Sequence, residues 1–203
     1  HQLGRAVRRC HHRNKRLMLS LGHFIQIKNN VLPDAVCDAL LEEYSDSPEW
    51  EPAKTIAGVN TNTRNCDTIK MSTVESLALN QDKRVELDNK ILGSLYLAAK
   101  SYFEQFPRAI CKQDSGYELL RYREGGFFKE HVDYSAAITA RQVSFSFALN
   151  NDYEGGEFKF AGCDNLYRVP KGACIVFPSN FVFPHQILPV TSGTRYSVVT
   201  WMY

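Results

Sequence analysis

From Gly116 to the C-terminus the chain is a succession of short runs rich in Val, Ile, Phe and Tyr, cut by Gly125-Gly126, Gly155-Gly156, Pro170-Lys171-Gly172 and Ser192-Gly193. β-branched and aromatic side chains suit a pleated, half-buried surface, and Gly and Pro at these intervals supply turn geometry. The pattern predicts strands near 117–123, 143–149, 157–161, 166–169, 173–178, 185–188 and 195–202. No helical period separates them, and parallel strands need long, usually helical crossovers, so the set must pair antiparallel. An antiparallel sandwich or barrel with jelly-roll-like connections is the expected outcome.

Ahead of the strands, two segments carry a helical period. Pro33 and Asp34 open a stretch running to Tyr44, with Val36, Leu40 and Leu41 on one face. A longer helix is predicted from about Asp82, with Leu92, Leu95, Tyr96, Ala99, Tyr102, Phe103 and Phe106 as its apolar side and Pro107 as its stop. It is expected to brace one face of the sheet. Between the helices, Asn60 to Asp67 is Asn/Thr-rich and reads as a loop bordering a site. The fold class is therefore α+β, with N-terminal helices supporting a jelly-roll core. With 203 residues, no internal repeat and no linker, one domain over 21–203 is expected, preceded by a tail over 1–20.

The formal charge of +2 conceals an asymmetry: residues 1–16 hold six Lys/Arg and no acid, while the rest carries 18 basic and 22 acidic residues, a balance of −4. The leader is expected to be a solvated tail or cloning remnant; a targeting segment, sequence ahead of a start at Met18, or an anion-binding arm are the alternatives. No secretory signal is expected, because Leu17 to Leu21 is too short an apolar stretch. No run approaches the length of a membrane span. Cys10, Cys37, Cys66, Cys111, Cys163 and Cys174 are 11 to 52 residues apart with no CxxC. Reduced, structural thiols and an intracellular, cytoplasmic setting follow as expectations.

Four residues stand out chemically. His131-Val132-Asp133 follows the glycine turn after Tyr122, and on an extended chain residues i and i+2 project to the same side, so an imidazole and a carboxylate can reach one cation. His185 lies 54 residues later in the apolar Phe-Pro-His-Gln-Ile-Leu-Pro, where a solvent-facing histidine is unexpected. It is either a buried structural residue or a third ligand. Two histidines and one carboxylate form the facial arrangement that leaves positions open on non-haem Fe(II). Ten residues on, Arg195 sits inside an otherwise apolar strand and must be paired, either with an acid of the sheet or with an anionic ligand.

The blocks Tyr122 to Asp133, Ala148 to Phe158, Phe177-Pro-Ser-Asn with His185, and Pro189-Val190, Gly193 and Arg195-Tyr-Ser197 resemble the 2-oxoglutarate and Fe(II)-dependent dioxygenases, more narrowly the prolyl 4-hydroxylase branch. The resemblance runs in order from about residue 116 to the end. It implies a double-stranded β-helix, Fe(II), O2 and 2-oxoglutarate as cofactor and cosubstrates, ascorbate as reductant, and hydroxylation of a proline at C4 in a peptide or protein coupled to decarboxylation of 2-oxoglutarate to succinate. It implies His131, Asp133 and His185 as metal ligands and catalytic centre, Arg195 and Tyr122 on the remote carboxylate of 2-oxoglutarate, Ser197 and Thr200 as weaker candidates for that pocket, and Trp201 as an aromatic wall. Arg141 lines up with an arginine used towards substrate, its alternative being an exposed residue at a strand start. Phe127, Phe128, Phe181 and Phe183 join Trp201 as candidate walls, of which one or two are expected to touch ligand. Two positions depart from the pattern: Phe128 and Ala148 stand where relatives carry tyrosines. The alternatives are a same-fold oxygenase acting on another amino acid or on a nucleic acid base, and a non-catalytic metal-binding or cupin-like jelly roll. The nucleic-acid group generally has a second arginine where this chain has Trp201, so a nucleic acid partner is not expected.

Overall fold

A computed structural model describes residues 20–72, 81–134 and 141–203. The basic leader, up to residue 19, lies outside the described residues. The described residues form two large antiparallel sheets, two two-stranded ones (Tyr153–Gly155 with Val190–Gly193, and Lys54–Thr55 with Gly58–Val59), two α-helices and a 3-10 turn at Leu21–Phe24. The larger sheet has seven strands in the order Gln26–Lys28, Cys174–Pro178, Val143–Ala148, Arg195–Met202, Glu118–Tyr122, Asp67–Lys70 and Glu51–Pro52. The smaller has five, ordered Leu166–Tyr167, Phe158–Phe160, His185–Ile187, Phe127–His131 and Arg64–Asn65. All seven strands expected from the sequence are present, within a residue or two at their ends.

Strand alternation divides the core in two. In Val143–Ala148, buried at every position, Phe145 and Phe147 face the helices while Ser144, Ser146 and Ala148 face the second sheet. The first cluster packs Val36, Cys37 and Leu40 of the helix Asp34–Tyr44, and Leu87, Ile91, Leu95, Ala98 and Tyr102 of the helix Gln81–Phe103, on Leu119, Phe147 and Val198. Each fully buried Leu or Ile contributes about 1.5–3 kcal/mol. The second cluster joins Leu120, Ile175, Phe177 and Val199 of the large sheet to Phe158, Phe160 and Ile187 of the small one. The order of layers is therefore helices, large sheet, small sheet.

Three expectations need correction. The apolar side of the long helix does not include Leu92 and Tyr96, which are 45% and 73% exposed. The buried set is Leu87, Ile91, Leu95, Ala98, Ala99 and Tyr102, a stripe that keeps Leu95, Ala99 and Tyr102 of the expected side and is centred on a neighbouring face. The helix also ends at Phe103 rather than running to Pro107. A proline ring four residues on would meet the Phe103 carbonyl, and Phe106 instead folds back against Tyr102 with ring centroids 4.7 Å apart. Third, 60–67 is not all loop: a turn at 60–63 leads into the strands Arg64–Asn65 and Asp67–Lys70. Cys37, Cys66, Cys111, Cys163 and Cys174 are all free thiols. Among the described residues no helix is long and apolar enough to cross a membrane.

Candidate metal centre and cavity

The chain leaves the large sheet at Tyr122, reverses at Gly125-Gly126 and enters the small sheet at Phe127. Gly125 has φ +76, and a Cβ on Gly126 would lie 2.7 Å from the Arg123 carbonyl oxygen, so both positions require glycine. This reversal carries His131 to a place directly opposite His185 on the adjacent strand. Their ring centroids are 4.3 Å apart. Asp133, just past the strand end, comes within 3.5 Å of His131 Nε2 through Oδ1 and 3.9 Å of His185 Nε2 through Oδ2. The three ligand atoms lie within 4.8 Å of one another.

The backbone sets which nitrogen each histidine presents. Nδ1 of His131 is 2.8 Å from the Lys129 carbonyl oxygen, and Nδ1 of His185 is 3.2 Å from that of Phe183. A carbonyl only accepts, so each Nδ1 carries the proton and each Nε2 keeps its lone pair towards Asp133. Asp133 is held from the other sheet by Ser144, whose hydroxyl donates to Oδ2 at 2.6 Å and lies 2.7 Å from Ser179 Oγ. Burial alone would raise the Asp133 carboxyl, but His185, His131 and the Ser144 hydroxyl outweigh it and hold the group well below the usual carboxylate range. His185, packed among Phe158, Phe160 and Phe177, is pushed down to about 4, by burial first and by His131, against the pull of Asp133. It is neutral at neutral pH, as a metal ligand must be. Two imidazole nitrogens and one ionised carboxylate fit Fe(II) as a donor set.

The triad opens on a cavity of about 540 Å³ between the sheets, in the usual range for a small-molecule site. Arg195, 3% exposed, lies on its wall directly opposite Tyr122 in register, its guanidinium carbon 5.3 Å from that ring. One N–H donates to Ser197 Oγ at 3.2 Å. Among the described residues no acid forms an ion pair with Arg195, so the structural salt bridge that was its alternative is not there. A buried cation facing a cavity without an anion fits the remote carboxylate of a dicarboxylic ligand. The Tyr122 phenol is pushed far above its ordinary value, mainly by burial and then by Cys66; it stays neutral and able to donate.

Arg141 and Trp201 also line the cavity, the guanidinium carbon 3.5 Å from the centre of the indole. Arg141 donates to the Asp133 carbonyl at 3.3 Å, while its Nε has no partner. Thr200 does not line the cavity; strand alternation turns it, buried, towards the helices. Of the five candidate aromatic walls only Phe128 and Trp201 reach the cavity, whereas Phe181 is 78% exposed and Phe183 packs in the core. The 60–67 stretch expected to border a site does so through Thr63 and Arg64, while the sequence reading passed over Ser144 and the hairpin of Lys54–Thr55 and Gly58–Val59, whose Ile56 and Ala57 stand at the cavity. Ser144 had a signal, the polar alternation in Val-Ser-Phe-Ser-Phe; the hairpin had none.

Residues 117–203 match the family described as the 2OG-Fe(II) oxygenase superfamily. A PKHD-type hydroxylase of Acaryochloris marina is 39% identical over 87 residues, 40% of this chain and 39% of the relative. The chain thus spans about two fifths of the length of the curated relatives it first matches. Among solved structures, a Trichoplax adhaerens prolyl hydroxylase in complex with a hypoxia inducible factor peptide fragment has a TM-score of 0.70 at 16% identity, covering 89% of this chain and 83% of its own. A Pseudomonas putida prolyl-4-hydroxylase has a TM-score of 0.65 at 21% identity, with 88% and 91% covered.

Proposed function

We propose that this chain, whose residues 117–203 match the 2OG-Fe(II) oxygenase superfamily, is an Fe(II)- and 2-oxoglutarate-dependent dioxygenase that hydroxylates prolyl residues, at C4, in a peptide or protein. The observation that carries the reading is one cavity lined both by the His131, Asp133, His185 cluster and by a buried arginine that no acid among the described residues pairs. The two sheets are read as the two faces of a double-stranded β-helix, and residues 21–203 as one catalytic domain. The solved prolyl hydroxylases of like fold support the substrate class, one of them holding a peptide. The five cysteines among the described residues are free thiols, which suits a reducing, intracellular setting.

In this mechanism Fe(II) and 2-oxoglutarate, when bound, supply the oxygen chemistry, with succinate and CO2 as coproducts. The chain's residues bind, orient and shield. His131 and His185 present fixed Nε2 lone pairs, and Ser144 keeps the Asp133 carboxylate turned to the same point. Arg195, steadied by Ser197, and the neutral Tyr122 hold the remote carboxylate of the cosubstrate by charge-assisted contacts of about 1.5–3 kcal/mol each. Phe128, Phe158, Phe177 and Trp201 exclude water from the reacting end. Arg141, flat on Trp201 with an unused N–H, offers a donor to a substrate carbonyl or carboxylate.

The test is mass spectrometry of proline-containing peptides after incubation with the protein, Fe(II), 2-oxoglutarate and ascorbate. The expected result is succinate formation with one oxygen gained on proline. Oxygen gained only on another residue or on a nucleobase overturns the prolyl assignment, and succinate formation with none of the three overturns the substrate class.

A further inference from the structure

Phe128 stacks its ring on the His131 imidazole with centroids 3.5 Å apart and planes 16° from parallel. Arg64 is the register partner of Phe128 on the neighbouring edge strand and sets its guanidinium carbon 4.7 Å from the same ring's centroid. The guanidinium is itself pinned. Its Nε donates to Cys66 Sγ at 3.3 Å and Nη1 to the Lys54 carbonyl at 3.1 Å. Only a planar guanidinium can lie on a ring while donating sideways in its own plane; a lysine ammonium cannot.

His131 needs such support more than the other two residues of the cluster. Its side chain is 19% exposed, against 11% for Asp133 and 4% for His185. One hydrogen bond at Nδ1 leaves an imidazole free to rock about that contact, and His185 is stopped from doing so by three phenylalanine rings. At His131 the stacked stop is one phenylalanine ring, Phe128, beside the His185 imidazole that shares the cluster, and Arg64 lies over the Phe128 ring. We propose that Arg64 is a positioning residue for the metal centre: through Phe128 it fixes the plane of the His131 imidazole. Through the Lys54 carbonyl it also ties that ligand to the hairpin at the cavity mouth. Arg64 touches neither metal nor cosubstrate in this role, which rests on the reading of His131, Asp133 and His185 as a metal site.

The experiment is a Co(II) titration of the metal-free full chain, without cosubstrate, followed by the visible absorption of the bound ion, with thermal melts alongside. Arg64→Met is expected to weaken Co(II) binding about three- to tenfold, at or below the lower bound of the roughly 10–100-fold lost when a residue hydrogen-bonded to a ligand is removed, because Arg64 acts through Phe128. Arg64→Lys is expected to fall in the same direction, because it keeps the charge and loses the plane. In a Phe128→Leu background, Arg64→Met is expected to cause no further loss, since the relay is already cut. Unchanged Co(II) binding in a folded Arg64→Met or Arg64→Lys protein overturns the proposal, as does an equal loss in the two backgrounds. If Arg64→Met does not fold, Arg64→Lys in both backgrounds decides by the same criteria. A wild-type chain that takes up no Co(II) would instead remove the metal-centre reading.

Discussion

Replacing Arg195 by methionine separates a ligand-binding role from a structural one, because the two predict opposite signs. The guanidinium is 3% exposed, rests against Tyr122 and Phe158, and gives one N–H to Ser197, with no acid beside it among the described residues. In the protein without cosubstrate it is a buried charge lacking compensation, and methionine fills much of its length with no charge to desolvate. Arg195→Met should therefore leave the Tm of the cosubstrate-free protein unchanged or raise it, by up to about 1 kcal/mol, or roughly 2–4 °C for a chain of this size. Cosubstrate binding should move the other way. Losing one charge-assisted contact of about 1.5–3 kcal/mol weakens Kd by roughly tenfold to 150-fold. With Mn(II) in place of iron and 2-oxoglutarate at about 100 times the wild-type Kd, the wild type gains about 2.7 kcal/mol from ligand; a hundredfold weaker variant gains only about 0.4 kcal/mol. Melts with and without 2-oxoglutarate read both quantities from one sample. A variant several degrees less stable than wild type that keeps the full 2-oxoglutarate shift would refute the reasoning, since Arg195 would then be serving the fold.

Three further outcomes are expected. Because His185 is held down to about 4, the unfolded chain takes up a proton near pH 6.5 that the folded chain refuses, so metal-free stability falls as pH drops from 6.5 towards 4. The loss is roughly 3 kcal/mol over that window, and denaturant midpoints at pH 7 and 4.5 should differ less in His185→Asn than in wild type. Gly156 has φ +69, and a Cβ there would lie 2.9 Å from Arg195 Cδ; Gly156→Ala should cost about 1–2 kcal/mol of stability and raise KM for 2-oxoglutarate more than it lowers kcat. Arg141→Met should raise the peptide KM about tenfold while leaving 2-oxoglutarate binding, read by the same thermal shift, unchanged.

What was legible in the sequence was legible for a physical reason. The seven expected strands carry their own composition, whereas Phe127–His131, which bears the first histidine of the cluster, was not among them; His131, Asp133, His185 and Arg195 are residue types that rarely sit in an apolar sheet without a partner. The strands from Glu51 to Lys70 had no such signal. They are two to four residues long, rich in Thr, Asn and Lys, and exist because distant segments pair with them, as Asp67 does with Arg121. Leu92 and Tyr96 misled because spacings of three and four residues fit more than one face of a long helix, and only the position of the sheet selects between them.

The cluster at His131 depends on an irregularity that no period in the sequence announces. His131 and Asp133 share a side by simple alternation, but Phe128 and His131 are an odd number of residues apart, and in a regular strand they would point to opposite faces. The register shows how this is avoided. His131 pairs with His185 and Phe128 with Ile187, so three steps along one strand oppose two along the other. The extra residue lies between Phe128 and His131, a β-bulge of the kind that re-aims a side chain next to a site. It brings Phe128 round to the cavity, close enough to stack on His131, and into reach of Arg64 from the edge strand. Removing the bulge would leave every hydrophobic position beyond it out of phase by one, so the packing of Ile187 in the core enforces the bulge that orders the candidate metal ligand.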